Sequence, residues 1–105
     1  MSEFIATDTI SLYDAMKKIT RSGKRCLVVV DSNNIFRGTL SDGDIRKAIL
    51  DGLKFENSIS SIYNDNPTIL FEGEYSSYEV KNLFIKHKFD LIPVLDKDRA
   101  FVKAL

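Results

Sequence analysis

The chain has 105 residues, of which 44% are hydrophobic and 29% charged, a composition that can bury a core without metals or disulfides. Its 15 basic residues offset 15 acidic ones, which removes the long-range attraction of a dedicated nucleic-acid or membrane-surface binder. The single cysteine, Cys26, excludes an intrachain disulfide and lies in an apolar run, so it reads as a buried packing thiol in a reducing, cytoplasmic setting.

The opening Met1-Ser2-Glu3-Phe4-Ile5 has no basic region followed by an apolar stretch, so no secretory signal is visible. No run approaches the ~18 consecutive apolar residues of a membrane-spanning helix. Leu12, Ala15, Met16 and Ile19 recur at helical spacing, and Arg21-Ser22-Gly23 supplies a helix stop. Leu27-Val28-Val29-Val30 predicts a short strand, Asp31-Ser32-Asn33-Asn34 a turn, and Ile35-Phe36-Arg37-Gly38-Thr39-Leu40 the returning strand of a hairpin. Ser41 then caps a helix whose Ile45, Ala48 and Ile49 form an apolar stripe, ending near Gly52. Residues 58–63 read as a short connecting helix and Asn64-Asp65-Asn66-Pro67 as a turn. An extended stretch over 67–71 follows, then a helix carrying Val80, Leu83 and Phe84, a strand at Leu91-Ile92-Pro93-Val94-Leu95, a turn at Asp96-Lys97-Asp98, and Phe101-Val102.

That order describes one unit written twice. At a constant offset of 65 residues, without a gap, Ser11 meets Ser76, Tyr13 meets Tyr78, Val29 meets Val94, Asp31 meets Asp96 and Phe36 meets Phe101. Each copy has a helical stretch followed by a four-residue apolar run closed by aspartate, the mark of an internal repeat. The division is 1–57 for the first repeat and 58–105 for the second. The second copy contains no equivalent of the turn that starts at Gly38 or of the helix after it. The expectation is a truncated second repeat in a fragment that keeps its natural Met1 and has lost a carboxyl-terminal catalytic domain, since a hairpin cut in mid-strand leaves an unfinished sheet edge.

The run Gly38-Thr39-Leu40-Ser41-Asp42-Gly43-Asp44-Ile45-Arg46 passes from a strand end through a hydroxyl and two carboxylates into a helix. Unpaired N–H groups and the positive end of the helix dipole attract phosphate there, and Asp44 can accept two hydrogen bonds from a vicinal diol such as ribose. The competing reading is a capping box between Ser41 and Asp44, which needs no ligand. Arg46 and Lys47 stand close enough in sequence to assist with phosphate. His87 lies near a helix end with no metal-ligand cluster or nucleophile beside it, and Asp42 and Asp44 form no acid–base pair. Lys17, Lys18, Arg21, Lys24 and Arg25 make the densest basic patch, best read as a solvated helix end.

The Gly38, Ser41 and Asp44 spacing, inside two copies of strand, helix, strand, strand, helix, resembles the tandem cystathionine-β-synthase (CBS) domain pair, or Bateman module, over almost the whole chain. Thr39 departs mildly from the hydrophobic residue usual at its position. The resemblance implies an α/β (α+β) fold of two β-α-β-β-α repeats related by a pseudo-two-fold, the second truncated. It also implies an adenosine nucleotide, AMP, ADP or ATP, bound between repeats as a regulatory ligand, with no catalytic cofactor. Carried over by position, Asp44 grips ribose, Ser41 touches ribose or phosphate, and Thr39, Leu40, Ile5, Ala6, Val28, Val29 and Arg46 complete the site. The phrase Ser-Asp-Gly-Asp-Ile-Arg-Lys-Ala-Ile from Ser41, with Gly52 and Asn64-Asp65-Asn66-Pro67, is similar to pairs at the amino terminus of sugar-nucleotide nucleotidyltransferases. Sugar-phosphate isomerases carry a related phrase after their catalytic domain, and a ligand-free dimerisation module is the alternative of another class. Tyr13, Tyr75 and Tyr78 sit at helix starts and faces, where the resemblance implies a homodimer contact.

Overall fold

The computed structural model describes residues 4–105, so the expected natural start at Met1 lies outside the described residues. The first unit comprises β1 (Ile5–Thr7), α1 (Leu12–Ser22), β2 (Cys26–Val30), β3 (Phe36–Ser41) and α2 (Asp42–Leu50). A 3-10 turn at Ile59–Ser61 leads to the second: β4 (Leu70–Phe71), α3 (Ser77–Lys86), β5 (Pro93–Leu95) and β6 (Phe101–Ala104). Each unit folds into a three-stranded sheet in which the first strand runs parallel and the third antiparallel to the middle one. The chain thus has the expected mixed α+β fold, and its 105 residues hold no counterpart of α2 after β6.

Local chemistry sets the helix ends. Ser11 Oγ accepts from the Asp14 N–H at 3.0 Å, and Ser76 Oγ from the Glu79 N–H at 3.1 Å, each satisfying one of the donors a helix start leaves free. Gly23, at φ 69°, ends α1 in the left-handed region that a side chain resists.

All five residues of β2 are buried because both faces of its sheet are covered. Leu27 and Val29 pack on one face with Leu12, Ala15, Ile45 and Ile59. Cys26, Val28 and Val30 point the other way, against Leu91, Leu95 and Phe101 of the second unit. The two sheets therefore share a core.

The pseudo-two-fold runs through the hairpin tips. Asp31 Oδ1 accepts from the N–H groups of Asn33 (2.8 Å) and Ile35 (3.0 Å), and Asp96 Oδ1 does the same for Asp98 (2.8 Å) and Ala100 (3.0 Å). Asn34 (φ 64°) and Arg99 (φ 68°) take the same left-handed conformation. Across the axis, the Phe36 N–H donates to the Arg99 carbonyl (2.9 Å) and the Phe101 N–H to the Asn34 carbonyl (3.0 Å).

The repeat is not gap-free. In β1, Ala6 pairs with Val29, whereas in β4 it is Leu70 that pairs with Val94, so the first strands correspond at an offset of 64 and everything after them at 65. The extra residue lies in the β4–α3 connection, where Gly73 turns at φ 78°. Two further expectations shrink on inspection: strand pairing within 67–71 is confined to Leu70–Phe71, and the helix expected over 58–63 is the single 3-10 turn.

Asn64 is more than a turn residue. Its N–H donates to the Thr39 carbonyl at 2.8 Å and its carbonyl accepts from the Thr39 N–H at 3.0 Å, which ties the connecting segment to the free edge of β3. Gly38 makes this approach possible, because a Cβ there would overlap the Asn64 carbonyl oxygen and stand 2.7 Å from Tyr63 Cδ1. Gly38→Ala is expected to lower unfolding stability by about 2 kcal/mol or more in a denaturant titration, the scale of forced overpacking against backbone. Gly43→Ala, whose nearest neighbour would be Ser41 Oγ at 3.7 Å, should be neutral or stabilising in the same assay.

Candidate functional site

A cleft of about 320 Å³ opens between the two units, at the ends of the sheets opposite the hairpin tips. The first unit contributes Cys26, Thr39 and Ser41, and the connecting segment Asn64, Asn66 and Pro67. The second contributes Thr68, the run Lys88-Phe89-Asp90-Leu91, and Pro93. Apolar groups (Phe89, Leu91 and the prolines) alternate in this lining with hydroxyl, amide and charged ones, the mixture by which small-molecule sites fix orientation.

Ser41 reaches this cleft because it is both the last residue of β3 and the N-cap of α2. Its Oγ accepts from the Asp44 N–H (3.0 Å), while Asp44 Oδ2 accepts from the Ser41 N–H (2.9 Å), a complete capping box. The Asp42 N–H donates to the Arg25 carbonyl at 2.8 Å. These bonds leave the Gly43 N–H as the one first-turn donor between Asp42 and Asp44 without a partner, and they leave the Ser41 hydroxyl proton free to donate.

A second, polar compartment of about 240 Å³ adjoins the cleft and is lined by Arg25, Ser41, Asp42, Gly43, Arg46 and Asp90. Ser41 and Asp90 line both spaces and form the boundary between them. Arg46 Nη2 holds Asp42 Oδ2 at 3.1 Å in an exposed i,i+4 pair. Asp44 faces a different hollow of about 220 Å³, with Lys47, Asp51 and Ser61.

The sequence-expected residues therefore separate. Thr39 and Ser41 line the cleft, and Arg46 lines its polar annex. Asp44 touches the cleft only through its bonds to Ser41. Ala6, Val29 and Leu40 are buried on the helix side of the first sheet and Val28 in the core between sheets, and none of the four lines the cleft. Ile5 borders a separate apolar hollow of about 450 Å³ with Thr7, Ile10 and Val30. Phe89, Leu91, Thr68 and Asp90 were not singled out from sequence. The pseudo-two-fold was the signal that could have found Phe89, Asp90 and Leu91, since it carries the segment leading into β2 onto the segment leading into β5, whereas Thr68, before β4, had no such signal.

Cys26 is 8% exposed and lines the cleft floor. Burial, reinforced by the negative charges of Asp90 and Asp44, pushes its thiol up to about 11. His87 caps α3, with its ring centroid 5.1 Å from that of Phe89, and among the described residues no group of three or more His, Cys, Asp and Glu could hold a metal. Lys17 lies over the Tyr13 ring and Lys24 over the Phe4 ring, which accounts for part of the basic patch. No helix among the described residues is long and apolar enough to cross a membrane.

Residues 2–51 match the model of the CBS domain. Arabinose 5-phosphate isomerase GutQ of Salmonella typhi is 26% identical over 95 residues, which cover 90% of this chain and 29% of the isomerase. The chain thus spans under a third of that relative's length. Among solved structures, CBSX2 of Arabidopsis thaliana in complex with AMP superposes with a TM-score of 0.82 at 20% identity, covering 96% of this chain and 78% of CBSX2. The cytosolic domain of the Mg2+ channel MgtE in complex with ATP gives 0.78 at 18% identity, covering all of this chain (100%) and 42% of that one. The fold is that of the CBS pair.

The raised thiol has a consequence for stability. The unfolded thiol ionises near its ordinary 9.0 and the folded one near 11, so between these values the unfolded chain binds fewer protons and stability falls as pH rises. Below 9.0 the contribution is fully present. Thermal unfolding followed from pH 8 to 10.5 should lose less Tm in Cys26→Ala than in the wild type, whatever the offset between the two at pH 8.

Proposed function

We propose that the chain is a CBS pair that binds an adenosine nucleotide in the cleft between its repeats and regulates a catalytic domain attached to it. The observation that carries this reading is the composition of the cleft. A hydroxyl, Ser41, with one free helix N–H and two arginines beyond it, faces an apolar wall built by Phe89, Leu91 and Pro93 of the other repeat. Such a site offers a flat ring one surface and a phosphate another. The complexes of CBSX2 with AMP and of the MgtE cytosolic domain with ATP are consistent with it.

In this proposal the repeats divide at residues 57 and 58, Ser41 meets ribose or phosphate, Thr39 lies beside it, and Arg46 assists with charge. Asp44 bonds to the Ser41 N–H through Oδ2; because it faces the neighbouring hollow, its Oδ1 meets a ribose hydroxyl only in the nucleotide-bound orientation of the repeats. Leu40, Ala6, Val28 and Val29 support the cleft from behind. The ligand acts by favouring one relative orientation of the repeats, and it regulates only insofar as it binds that orientation better than the other. No catalytic step is assigned to these residues.

For the attached enzyme, the curated relatives favour a sugar-phosphate isomerase of the GutQ kind. The nucleotidyltransferase expected from the phrase beginning at Ser41 receives no support from them. The alternative, a ligand-free dimerisation module, is favoured by two observations. The Asp44 carboxylate already serves the cap, and Tyr13 (54%) and Tyr78 (76%) are exposed large side chains on α1 and α3, whereas Tyr75 packs against the second core.

Because Asp44→Ala would remove a capping interaction of about 1 kcal/mol as well as a ribose acceptor, Asp44→Asn is the cleaner variant. Calorimetric titration with AMP, ADP and ATP should show saturable binding to the wild type and at least tenfold weaker binding to Asp44→Asn, with Tm little changed. Absence of heat and of thermal stabilisation with all three nucleotides overturns the nucleotide reading in favour of the dimerisation module.

A further inference from the structure

The apolar hollow of about 450 Å³ lies at the hairpin end of the first sheet, and none of its lining residues lines the cleft between the repeats. The pseudo-two-fold shows why the space exists. Thr7 pairs with Val30 as Phe71 pairs with Leu95, and Ile10 and Tyr75 each stand one residue before the N-cap serine of their helix. In the second repeat Phe71, Tyr75 and Leu95 pack into the cores, so the first repeat carries a smaller side chain at three equivalent positions. A fourth exchange adds a charge: half-buried Lys18 of α1 stands where α3 has the apolar Leu83.

Lys18 and Asp31 are the two charged groups of the lining, and among the described residues neither belongs to an ion pair. Arg37, the cation that feels the charge of Asp31, is paired with Asp8 at 3.9 Å and does not line the hollow. Asp31 Oδ1 accepts from the Asn33 and Ile35 N–H groups, which leaves Oδ2 without a hydrogen-bond partner among the described residues. The other polar groups are the Thr7 and Ser32 hydroxyls and the Asn34 amide, whose Nδ2 donates to the Phe101 carbonyl. An apolar space with one unmatched cation and one unmatched anion complements a molecule that is apolar at one end and zwitterionic at the other. A simple carboxylate would be opposed by Asp31 and a simple amine by Lys18. An uncharged hydrocarbon would desolvate both charges without compensation.

We propose that this hollow binds a free α-amino acid with a large apolar side chain. The carboxylate meets the Lys18 ammonium, the ligand's ammonium meets Asp31 Oδ2, and the side chain lies against Ile5, Ile10 and Val30. The volume falls within the roughly 300–1,000 Å³ of small-molecule sites. The site borrows no residue from the nucleotide cleft and stands independently of the function proposed for it.

The test is calorimetric titration of the chain with L-leucine and L-phenylalanine, each beside the two molecules that lack one of its charges. For leucine these are 4-methylpentanoate and 3-methylbutylamine; for phenylalanine, 3-phenylpropanoate and 2-phenylethylamine. At least one amino acid should bind saturably and its two analogues at least tenfold more weakly. Lys18→Met, which keeps the stem and removes the charge, should weaken the amino acid at least tenfold while the amine loses nothing, a split that a merely structural role of Lys18 would not produce. Asp31 is probed through the ligand's ammonium, because its other oxygen holds the hairpin tip. Thr7→Phe, which copies the second repeat, should fill the hollow and abolish binding. Failure of both amino acids to bind, analogues within threefold of the parent amino acid, or an affinity unmoved by Lys18→Met overturns the inference, and none of these results bears on the nucleotide cleft.

Discussion

Two hydrogen bonds across the pseudo-two-fold, Phe36 N–H to the Arg99 carbonyl and Phe101 N–H to the Asn34 carbonyl, set the geometry from which the rest follows. They require both hairpin tips to place a residue in the left-handed region, which Asn tolerates and Arg resists. Asp31 and Asp96 enforce it by accepting two backbone N–H groups each. With the tips joined, the inner faces of the sheets meet and bury Val28, Val30, Phe36, Leu95 and Phe101 in one core. The far ends of the same strands cannot close equally, because they carry polar side chains and the incoming backbone of residues 64–68. The cleft is the remainder of that packing.

The start of α2 shows how local structure limits chemistry. A helix N-terminus is a generic anion site, yet here the Ser41–Asp44 box and the Arg25 carbonyl consume most of its donors. What is left is small and directional. The cap also anchors Ser41 between cleft and annex, so the residue that stabilises the helix is the one that faces both. Under the proposed function, fold stability and recognition are served by the same few atoms, and a substitution at Ser41 or Asp44 perturbs them together.

Most of the secondary structure was legible in the sequence, since Ser11, Ser41 and Ser76 are strong caps and Asp31 and Asp96 close β-branched or apolar runs. The two-unit organisation was legible for the same reason. The slip from 64 to 65 was not, because β1 and β4 are too short for periodicity to fix their register and only pairing with β2 and β5 reveals it. The cleft was half legible. Ser41 and Thr39 sit in a motif with its own spacing, whereas Phe89 and Thr68 belong to connections that carry no local pattern, and Leu91, legible as the start of an apolar run, enters the cleft only through the meeting of the repeats. Ile5, Ala6, Val28 and Val29, carried over by position, belong to the sheets and their margins; three of the four are core.

The helices of the two units are not equally anchored. α1 buries Leu12 and Ala15, but α3 buries no residue, although Val80, Leu83 and Phe84 lean on the Leu70–Ile92–Val94 cluster. Amide hydrogens in α3 therefore exchange through openings that need not disturb the first sheet. Phe89 and Asp90 follow directly on that helix, so the wall of the cleft is attached to the less protected body. Under the proposed function, a ligand held there would draw part of its effect from quenching those openings, and its signature would be a loss of motion in α3 more than a displacement of atoms.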